Sequence, residues 1–356
     1  MRYDSGHYEA NLDAAIPAVD WAGFETRRAA ARARGKLRGI GLSFYVERCA
    51  GGSHEDATVE IAPDGRATVL VGTMANGQGH QTAYAQLVAD MLGLHIDQVD
   101  VIQGDTDRVK KGQGTGGSRS LVMGGSAIHG ATTTVIDKAR AVAAHLLETA
   151  EADIAFDEGV FTVVGTDRRV TFPEVAAAAH DPNRLPPEIA PGLDADNRFQ
   201  VKGYTFPNGC HVAEVEIDTE TGVPKIVHYT IVHDFGRIMN PLMLEGQIHG
   251  GVVQGIGQAL LERTVHDADG QLLSGSFMDY CIPRADDLPD FVFHPREDPA
   301  PENPLGVKGA GEAGCAGAPP AVVNAIVDAL KPYGVRHVDM PVTAEKLWRI
   351  VSGRGK

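Results

Sequence analysis

Three places in the sequence gather residue types that can do chemistry. The first is Gly77-Gln78-Gly79-His80, with Thr82 two positions on, just before an apolar-periodic run. A helix N-terminus there would favour an anion, and the Gln78 amide offers both a donor and an acceptor to a ring edge. A structural hydrogen bond is the competing role for His80. The second is Gly-Thr-Gly-Gly-Ser-Arg-Ser at 114–120, which offers backbone N–H groups, hydroxyls and a guanidinium. Such a loop suits phosphate oxygens, or it is a surface turn. It is not a dinucleotide fingerprint, because Arg108, Lys110 and Lys111 separate it from the preceding strand and no ribose-binding acid follows. The third is Glu312, set among Gly309, Ala310, Gly311, Ala313 and Gly314. A carboxylate in apolar surroundings has a raised pKa and can act as a general base. The alternative is a loop glutamate facing water. Cys315 reads as a small packing residue.

Other chemistries lack their motifs. There is no Gly-x-Ser-x-Gly elbow for a serine hydrolase. None of the 14 histidines forms a His-Glu-x-x-His pair, and Cys49, Cys210, Cys281 and Cys315 form no Cys-x-x-Cys. A metal or iron–sulfur centre ligated by this chain alone is therefore not expected. With 32 basic and 47 acidic residues the net charge is −15. That argues against nucleic acid and against a polybasic membrane surface. No run reaches the ~18 apolar residues of a spanning helix, and the N-terminus does not read as an export leader. A cytoplasmic location with reduced thiols is the expectation.

The elements that must position these residues follow from pattern. A chain of 356 residues is long enough for about two domains. Residues 25–35 read as a solvated, arginine-rich helix ended by Gly35, and 40–48 as a strand. Two β-rich runs in 57–73 flank Pro63-Asp64-Gly65, a hairpin turn. Residues 83–94 carry a helical stripe of Leu87, Val88, Met91 and Leu92, 98–105 return as a strand, and 126–150 are helical. A hairpin is expected at 156–165, and Thr171 and Glu174 form a capping box. Residues 181–200 read as a connector, 210–234 as a second hairpin, and 283–306 as a proline-rich stretch without helical period. Pro319 and Pro320 are expected to open a helix, and Thr343 to cap a last one. In both 77–93 and 246–262 a hairpin precedes Gly-Gln-x-His and a helix follows. The two segments are either halves of a structural repeat or a coincidence of glycine-rich sequence.

The order and spacing of several segments resemble one family. They are RYDSGHYE, GIGLSFYVE, GTMANGQGHQTAYAQ, GDTDRVKKGQGTGGSRS, HDFGRIMNPLMLEGQIHGGVVQGIGQALLE and KGAGEAGCAGAPPAVVNAI. Together they resemble the C-terminal half of the molybdopterin-binding large subunit of the xanthine dehydrogenase/aldehyde oxidase family of molybdenum hydroxylases, with carbon monoxide dehydrogenase-type large subunits of bacteria the nearer likeness.

The resemblance implies an α+β fold of two related α/β subdomains with hairpins and glycine-rich cofactor loops. It divides the chain into an N-terminal extension (1–36), a first molybdopterin-binding subdomain (37–180) and a second with the glutamate loop (201–356). It implies that Gln78, Gly79, His80 and Thr82, then Thr115, Gly116, Gly117, Ser118, Arg119 and Ser120, and in the second half Asn240, Gln247, Gln254 and Gly311, hold the cofactor. Glu312 takes the place of the catalytic glutamate beside molybdenum. The metal is held by the pterin dithiolene, so no protein ligand is required.

The implied cofactor is molybdenum-molybdopterin in its cytosine dinucleotide form. The implied reaction is oxidative hydroxylation of an aldehyde or N-heterocycle, with water as oxygen donor and Glu312 as the base. Electrons would pass to an iron–sulfur (2Fe-2S) small subunit and an FAD medium subunit, in a dimer of heteromers. The family's large subunit is about twice as long, and its N-terminal half has no counterpart here. A second chain carrying that half is the expected partner, the opening Met and closing helix favouring a split subunit over a fragment. A noncatalytic scaffold of such a complex and an unrelated phosphate-binding enzyme are the other readings.

Overall fold

The computed structural model describes residues 3–51 and 54–353. In chain order the first elements are α1 (Tyr8–Ala18), α2 (Phe24–Ala33), β1 (Lys36–Val46), β2 (His54–Ile61), β3 (Ala67–Val71), α3 (His80–Leu92) and β4 (Val99–Ile102). Next come α4 (Ser126–Leu146), β5 (Ile154–Asp157), β6 (Val160–Val163), β7 (Arg169–Thr171), α5 (Phe172–Ala179) and β8 (Ala195–Gln200). The last are β9 (Asn208–Asp218), β10 (Pro224–Asp234), α6 (Pro241–Leu260), β11 (Phe291–Arg296), α7 (Ala313–Ala329) and α8 (Ala344–Val351). The fold is α+β, and contacts divide the chain into two compact units.

One unit comprises residues 1–48, 206–299 and 310–356. Its sheet has the order β1-β9-β10-β11, with β11 parallel to β10 and the other pairs antiparallel. Side chains alternate across a strand, and β9 uses both faces. Ala213, Val215 and Ile217 enter a core shared with Ile248, Val252 and Ile256 of α6 and with Val322 and Ile326 of α7. Cys210 and Val212 enter a smaller one with Ala15, Val19, Phe24 and Ile40. Glu214 and Glu216 are also buried on β9. Arg27 and Arg38 close on Glu214 at 2.6 and 2.5 Å, and Arg34 and Arg38 on Glu216 at 2.6 and 2.9 Å. The arginine-rich helix is thus not simply a solvated face: Arg27 on it and Arg34 at its C-terminal end each help neutralise one of two acids that the sheet would otherwise bury uncompensated.

The second unit comprises residues 49–205 and 300–309. Its main sheet has the order β4-β3-β2-β8, and β5, β6 and β7 form a small separate sheet. Strand β4 runs parallel to β3, and β2 pairs antiparallel with β3 and β8. Val59, Ile61, Val69 and Val71 of β2 and β3 are buried, as are Val88 and Leu92 of α3 and Ile128, Val135 and Val142 of α4, and α4 packs on β2 and on α3.

The two main sheets repeat one plan. In each, an antiparallel hairpin (β2-β3 or β9-β10) leads into a helix (α3 or α6) and then a strand parallel to the hairpin's second strand (β4 or β11), with an antiparallel strand on the far side (β8 or β1). Each crossover carries a helix because parallel neighbours need a long connection.

Several expectations are corrected. Helix α7 does not open at Pro319 and Pro320. It starts six residues earlier, at Ala313, and runs through both prolines. A missing N–H costs least where a neighbour supports the turn, and the Pro319 ring lies close to Gly255 of α6. The connector 181–200 ends in β8, which pairs with β2 although its sequence, ADNRFQ, is largely polar. The proline-rich stretch 283–306 contains β11, with Pro295 on an edge strand where its missing donor is tolerated. The second Gly-Gln is not at a helix start: Gln247 lies inside α6, which begins at Pro241. Strand β1, within the expected first subdomain, is in the unit that contains β9 and β10.

Candidate functional site

In the unit built on β2 and β3, two loops meet at the ends of strands. Residues 72–79 leave β3 and end at Gly79, which caps α3 with φ of 80°. Residues 110–120 follow β4 and run into a π-turn, Leu121–Gly125, that opens directly into α4. Such turns recur where function displaces a helix from regular geometry. Thr115 ties the loops together: its hydroxyl accepts from Met74 N at 3.0 Å, donates to Met74 O at 2.8 Å and meets Ser120 Oγ at 2.8 Å. Gly114 N donates to Gly72 O at 3.1 Å.

Turns with positive φ line this region at Gly77, Gly79, Gly114, Gly117 and Ser118. A Cβ at Gly77, Gly114, Gly116 or Gly117 would meet no atom within 4 Å. These glycines therefore leave backbone open to an approaching group, where a loop of N–H donors suits an anion.

Beneath the loops lies a hydrogen-bonded polar layer. His80 is buried, and its Nδ1 lies 3.2 Å from Gln103 Nε2. Burial pushes the imidazole down to about 4, so it is neutral at physiological pH. Gln103 Nε2 also donates to Thr73 O at 2.6 Å, and Tyr84 Oη meets Thr73 Oγ1 at 3.1 Å and donates to Ser120 O at 2.9 Å. Gln103 Oε1 is buried without a partner among the described residues. A buried acceptor left in this state calls for a donor from water or a ligand.

The side chains divide into those that face outward and those that build the loops. Thr82 is exposed in the first turn of α3. Gln78 turns its amide onto its own loop, accepting from Asn76 N and donating to Met74 O at 3.0 Å. Arg119 directs its guanidinium to Glu55 Oε2 at 2.7 Å, Gly114 O at 2.8 Å and His54 O at 2.8 Å. The arginine thus forms a buried ion pair that shapes the loop. The physical reason is Glu55, which lies fully buried on β2 and must be neutralised.

Sequence reasoning missed Glu55, Thr73 and Gln103. Glu55 had a signal: it shares the buried face of β2 with Ala57, Val59 and Ile61, so a partner cation was required. Gln103 had none beyond its place after a strand.

In the other unit, α6 and α7 carry the remaining candidates. Asn240 caps α6, its side chain accepting from Met243 N at 3.1 Å. Gln247 Nε2 donates to Gly311 O at 2.9 Å, which fastens the residue before Glu312 to α6. The helices cross closely: a Cβ added at Gly251 would lie only 3.1 Å from Gly314 Cα. Gly246 and Gly250 on α6 would place a Cβ in open space, and Gln254 is exposed. Glu312 is the N-cap of α7, with its backbone O accepting from Ala316 N at 2.9 Å. It is exposed, so it does not sit in the enclosed apolar setting its neighbours suggested. Those neighbours are too small to cover it. Cys315 is half-buried, and its thiol is pushed up by burial and by the charges of Glu312, Glu262 and Glu47, which disfavours the thiolate.

In the unit built on β2 and β3, the open N–H-bearing turns and the unpartnered buried acceptor fit an anionic group with a heterocyclic part. Among the described residues no group of three or more His, Cys, Asp or Glu could hold a metal ion.

A family model described as molybdopterin cofactor-binding domain matches residues 14–289. The chain is 38% identical to the nicotine 6-hydroxylase large subunit of Paenarthrobacter nicotinovorans, over 99% of this chain and 45% of that protein. It is 36% identical to the carbon monoxide dehydrogenase large chain of Hydrogenophaga pseudoflava, over 98% of this chain and 45% of that protein. Among solved structures, carbon monoxide dehydrogenase from Oligotropha carboxidovorans matches with a TM-score of 0.92 and 34% identity, over 99% of this chain and 46% of that one. Quinoline 2-oxidoreductase from Pseudomonas putida 86 matches with a TM-score of 0.92 and 36% identity, over 98% and 46%. The chain therefore spans somewhat under half the length of the relatives it matches.

Proposed function

The chain belongs to the molybdopterin cofactor-binding domain family, and from that premise we propose that it is part of the catalytic large subunit of a molybdenum hydroxylase. The reaction is oxidative hydroxylation of an aldehyde or an N-heterocycle, with water as oxygen donor. Two of the similar proteins are named for N-heterocyclic substrates, nicotine and quinoline, which favours that class. The observation that carries the reading is the Gly311-Glu312 corner. Gln247 fixes the Gly311 carbonyl, α7 begins at Ala313, and the carboxylate between them is exposed.

When bound, the molybdenum cofactor supplies the two-electron redox chemistry and the metal. This chain's residues bind, orient and move a proton. The turns at 77–79 and 114–118, with Thr82, offer hydrogen bonds to the anionic part of the cofactor. Thr115, Arg119 and Ser120 hold those turns in shape, and His80 with Gln103 supports them from beneath. Asn240, Gln247, Gln254 and Gly311 form the second set of cofactor-side residues. Glu312 acts as base, taking the proton of water-derived oxygen as the substrate carbon is attacked.

We assign the cytosine dinucleotide form to the cofactor. Electron transfer is assigned to iron–sulfur and FAD subunits, in a dimer of heteromers, as the resemblance to molybdenum hydroxylases implies. The remainder of the large subunit is a further partner, since it makes up more than half the length of the curated relatives. Among the described residues no helix is long and apolar enough to cross a membrane.

The test is the Glu312→Gln variant in the complex purified from cells. Molybdenum content is expected to stay at the parental level, with CMP released on acid hydrolysis, while turnover of a quinoline or aldehyde substrate falls by at least ~100-fold. Parental molybdenum with parental turnover would instead assign the chain a scaffolding role. Binding of nucleotide without any pterin would point to an unrelated phosphate-binding enzyme.

A further inference from the structure

Behind the two loops of the β2–β3 unit, five residues form a hydrogen-bonded chain whose polarity is determined link by link. It starts at the Ser120 carbonyl, which can only accept and takes the Tyr84 hydroxyl hydrogen at 2.9 Å. Tyr84 then has no hydrogen left for Thr73 Oγ1 at 3.1 Å, so the threonine hydroxyl donates to the phenol oxygen. The lone pairs of Thr73 Oγ1 are left for Gln103 Nε2 at 2.8 Å, and the Thr73 carbonyl accepts from the same amide nitrogen at 2.6 Å. Turning that amide over would set Gln103 Oε1 against the Thr73 carbonyl, acceptor against acceptor. The orientation therefore holds even though it leaves Oε1 buried without a partner among the described residues.

The last link is His80, whose Nδ1 lies 3.2 Å from Gln103 Nε2. A nitrogen that can only donate requires Nδ1 to be the acceptor. Burial keeps the ring neutral, its pKa pushed down to about 4. A neutral imidazole that accepts at Nδ1 carries its single hydrogen on Nε2. That atom meets no partner among the described residues, and it is not one of the wholly buried polar atoms that lack one. It is thus open to an approaching group at the start of α3, beside the positive-φ turns at Gly77 and Gly79.

We propose that Gln103, oriented by Thr73 and Tyr84, is a positioning residue that fixes His80 in its Nε2–H tautomer, so that His80 gives a neutral N–H to an oxygen of the anionic cofactor. The proposal rests on the large-subunit reading above and deepens it by giving Gln103 a task there. The opposite tautomer would turn a lone pair toward the same oxygens and repel them.

The experiment labels the full chain at its histidine ring nitrogens and reads the tautomers by long-range proton–nitrogen correlation at neutral pH, the His80 ring being assigned through its backbone. A hydrogen on Nε2 and a bare Nδ1 are expected. A hydrogen on Nδ1 overturns the proposal, and this measurement needs no variant to fold. Gln103→Met keeps the bulk and removes the donor, so the His80 ring is expected to lose its single tautomer and populate both. A parental His80 spectrum in the folded variant shows that Gln103 is merely structural and overturns the proposal. In the complex purified from cells, Gln103→Met is expected to lower molybdenum and pterin per chain at least about fivefold. Parental retention is the contrary result. A parental complex without molybdenum or pterin overturns the large-subunit reading, and the proposed ligand with it, even where the tautomer is as expected, so the two failures are told apart.

Discussion

Arg119 and Glu55 show how a buried partner adds to what a residue's type suggests. In the sequence, an arginine between two serines in a glycine-rich loop suggests a phosphate contact. In the structure it lies against a glutamate with no exposed surface, and the loop's openness comes from Gly114, Gly116 and Gly117 instead. The ion pair is buried, so removing one partner leaves the other charge uncompensated. Arg119→Met is expected to destabilise the protein by about 3–5 kcal/mol in urea unfolding, and the double variant Arg119→Met, Glu55→Leu by much less. A loss under ~1 kcal/mol for the single change would mean that the pair does not shape the loop. Gln78 teaches the same lesson. Its amide could read a ring edge, but in this structure it closes its own turn. Glu312 was legible as a candidate from its glycine and alanine neighbours, whereas its exposure was not, since burial depends on what surrounds a loop in space.

At the scale of elements, hairpins and capped helices were legible because their signals are local. The turn at Pro63-Asp64-Gly65 and the capping box at Thr171 and Glu174 are both formed. What escaped were elements stabilised from elsewhere: the polar edge strand β8, the edge strand β11 around Pro295, and an α7 that passes through two prolines. The crossing of α6 and α7 is a further case. A Cβ on Gly314 would lie 2.6 Å from both Ile248 O and Val252 N, backbone atoms with no easy way to yield. Gly314→Ala is therefore expected to destabilise by about 1–3 kcal/mol in urea unfolding and to loosen the Gln247–Gly311 bond, seen as reduced molybdenum retention. On the same helix pair, Gly250→Ala meets open space and is expected to be neutral or to stabilise the metal-free chain by up to ~1 kcal/mol. Equal effects at the two positions would show that helix propensity, not close approach, governs both.

Across the whole molecule, the glycine-rich similarity between 77–93 and 246–262 marks a repeat of topology, though not of position: Gln78 precedes its helix and Gln247 lies within one. A second global property is sensitivity to acid. His211 and His233 are fully buried, with Nε2 atoms 2.6 Å apart, and His211 Nδ1 meets Tyr229 Oη at 2.7 Å. Burial pushes His211 down to about 3 and His233 well below its ordinary value, and His80 down to about 4. These imidazoles stay neutral in the folded state while the unfolded chain takes up protons below about pH 6.5. The stability they confer is complete above that pH and is lost as pH falls, by about 1.4 kcal/mol per unit for each histidine. The loss from His80 continues to about pH 4 and that from His211 to about pH 3. Urea midpoints at pH 7.5 and 5 are expected to differ strongly, and less so in His211→Gln. An identical pH response in the two proteins would exclude the pair as the source.

The register of the first sheet sets Lys36 opposite Asp218 and Val46 opposite Asn208. During synthesis the segment that becomes β1 leaves the ribosome long before its partner exists, and residues 49–205 of the β2–β8 unit are made in the interval. For that time it is a β-prone ribbon without a mate, the kind of nascent segment that invites mispairing or chaperone capture. Completion of this sheet is thereby tied to the later part of translation, as is that of the β2–β8 unit, whose residues 300–309 are made after β11.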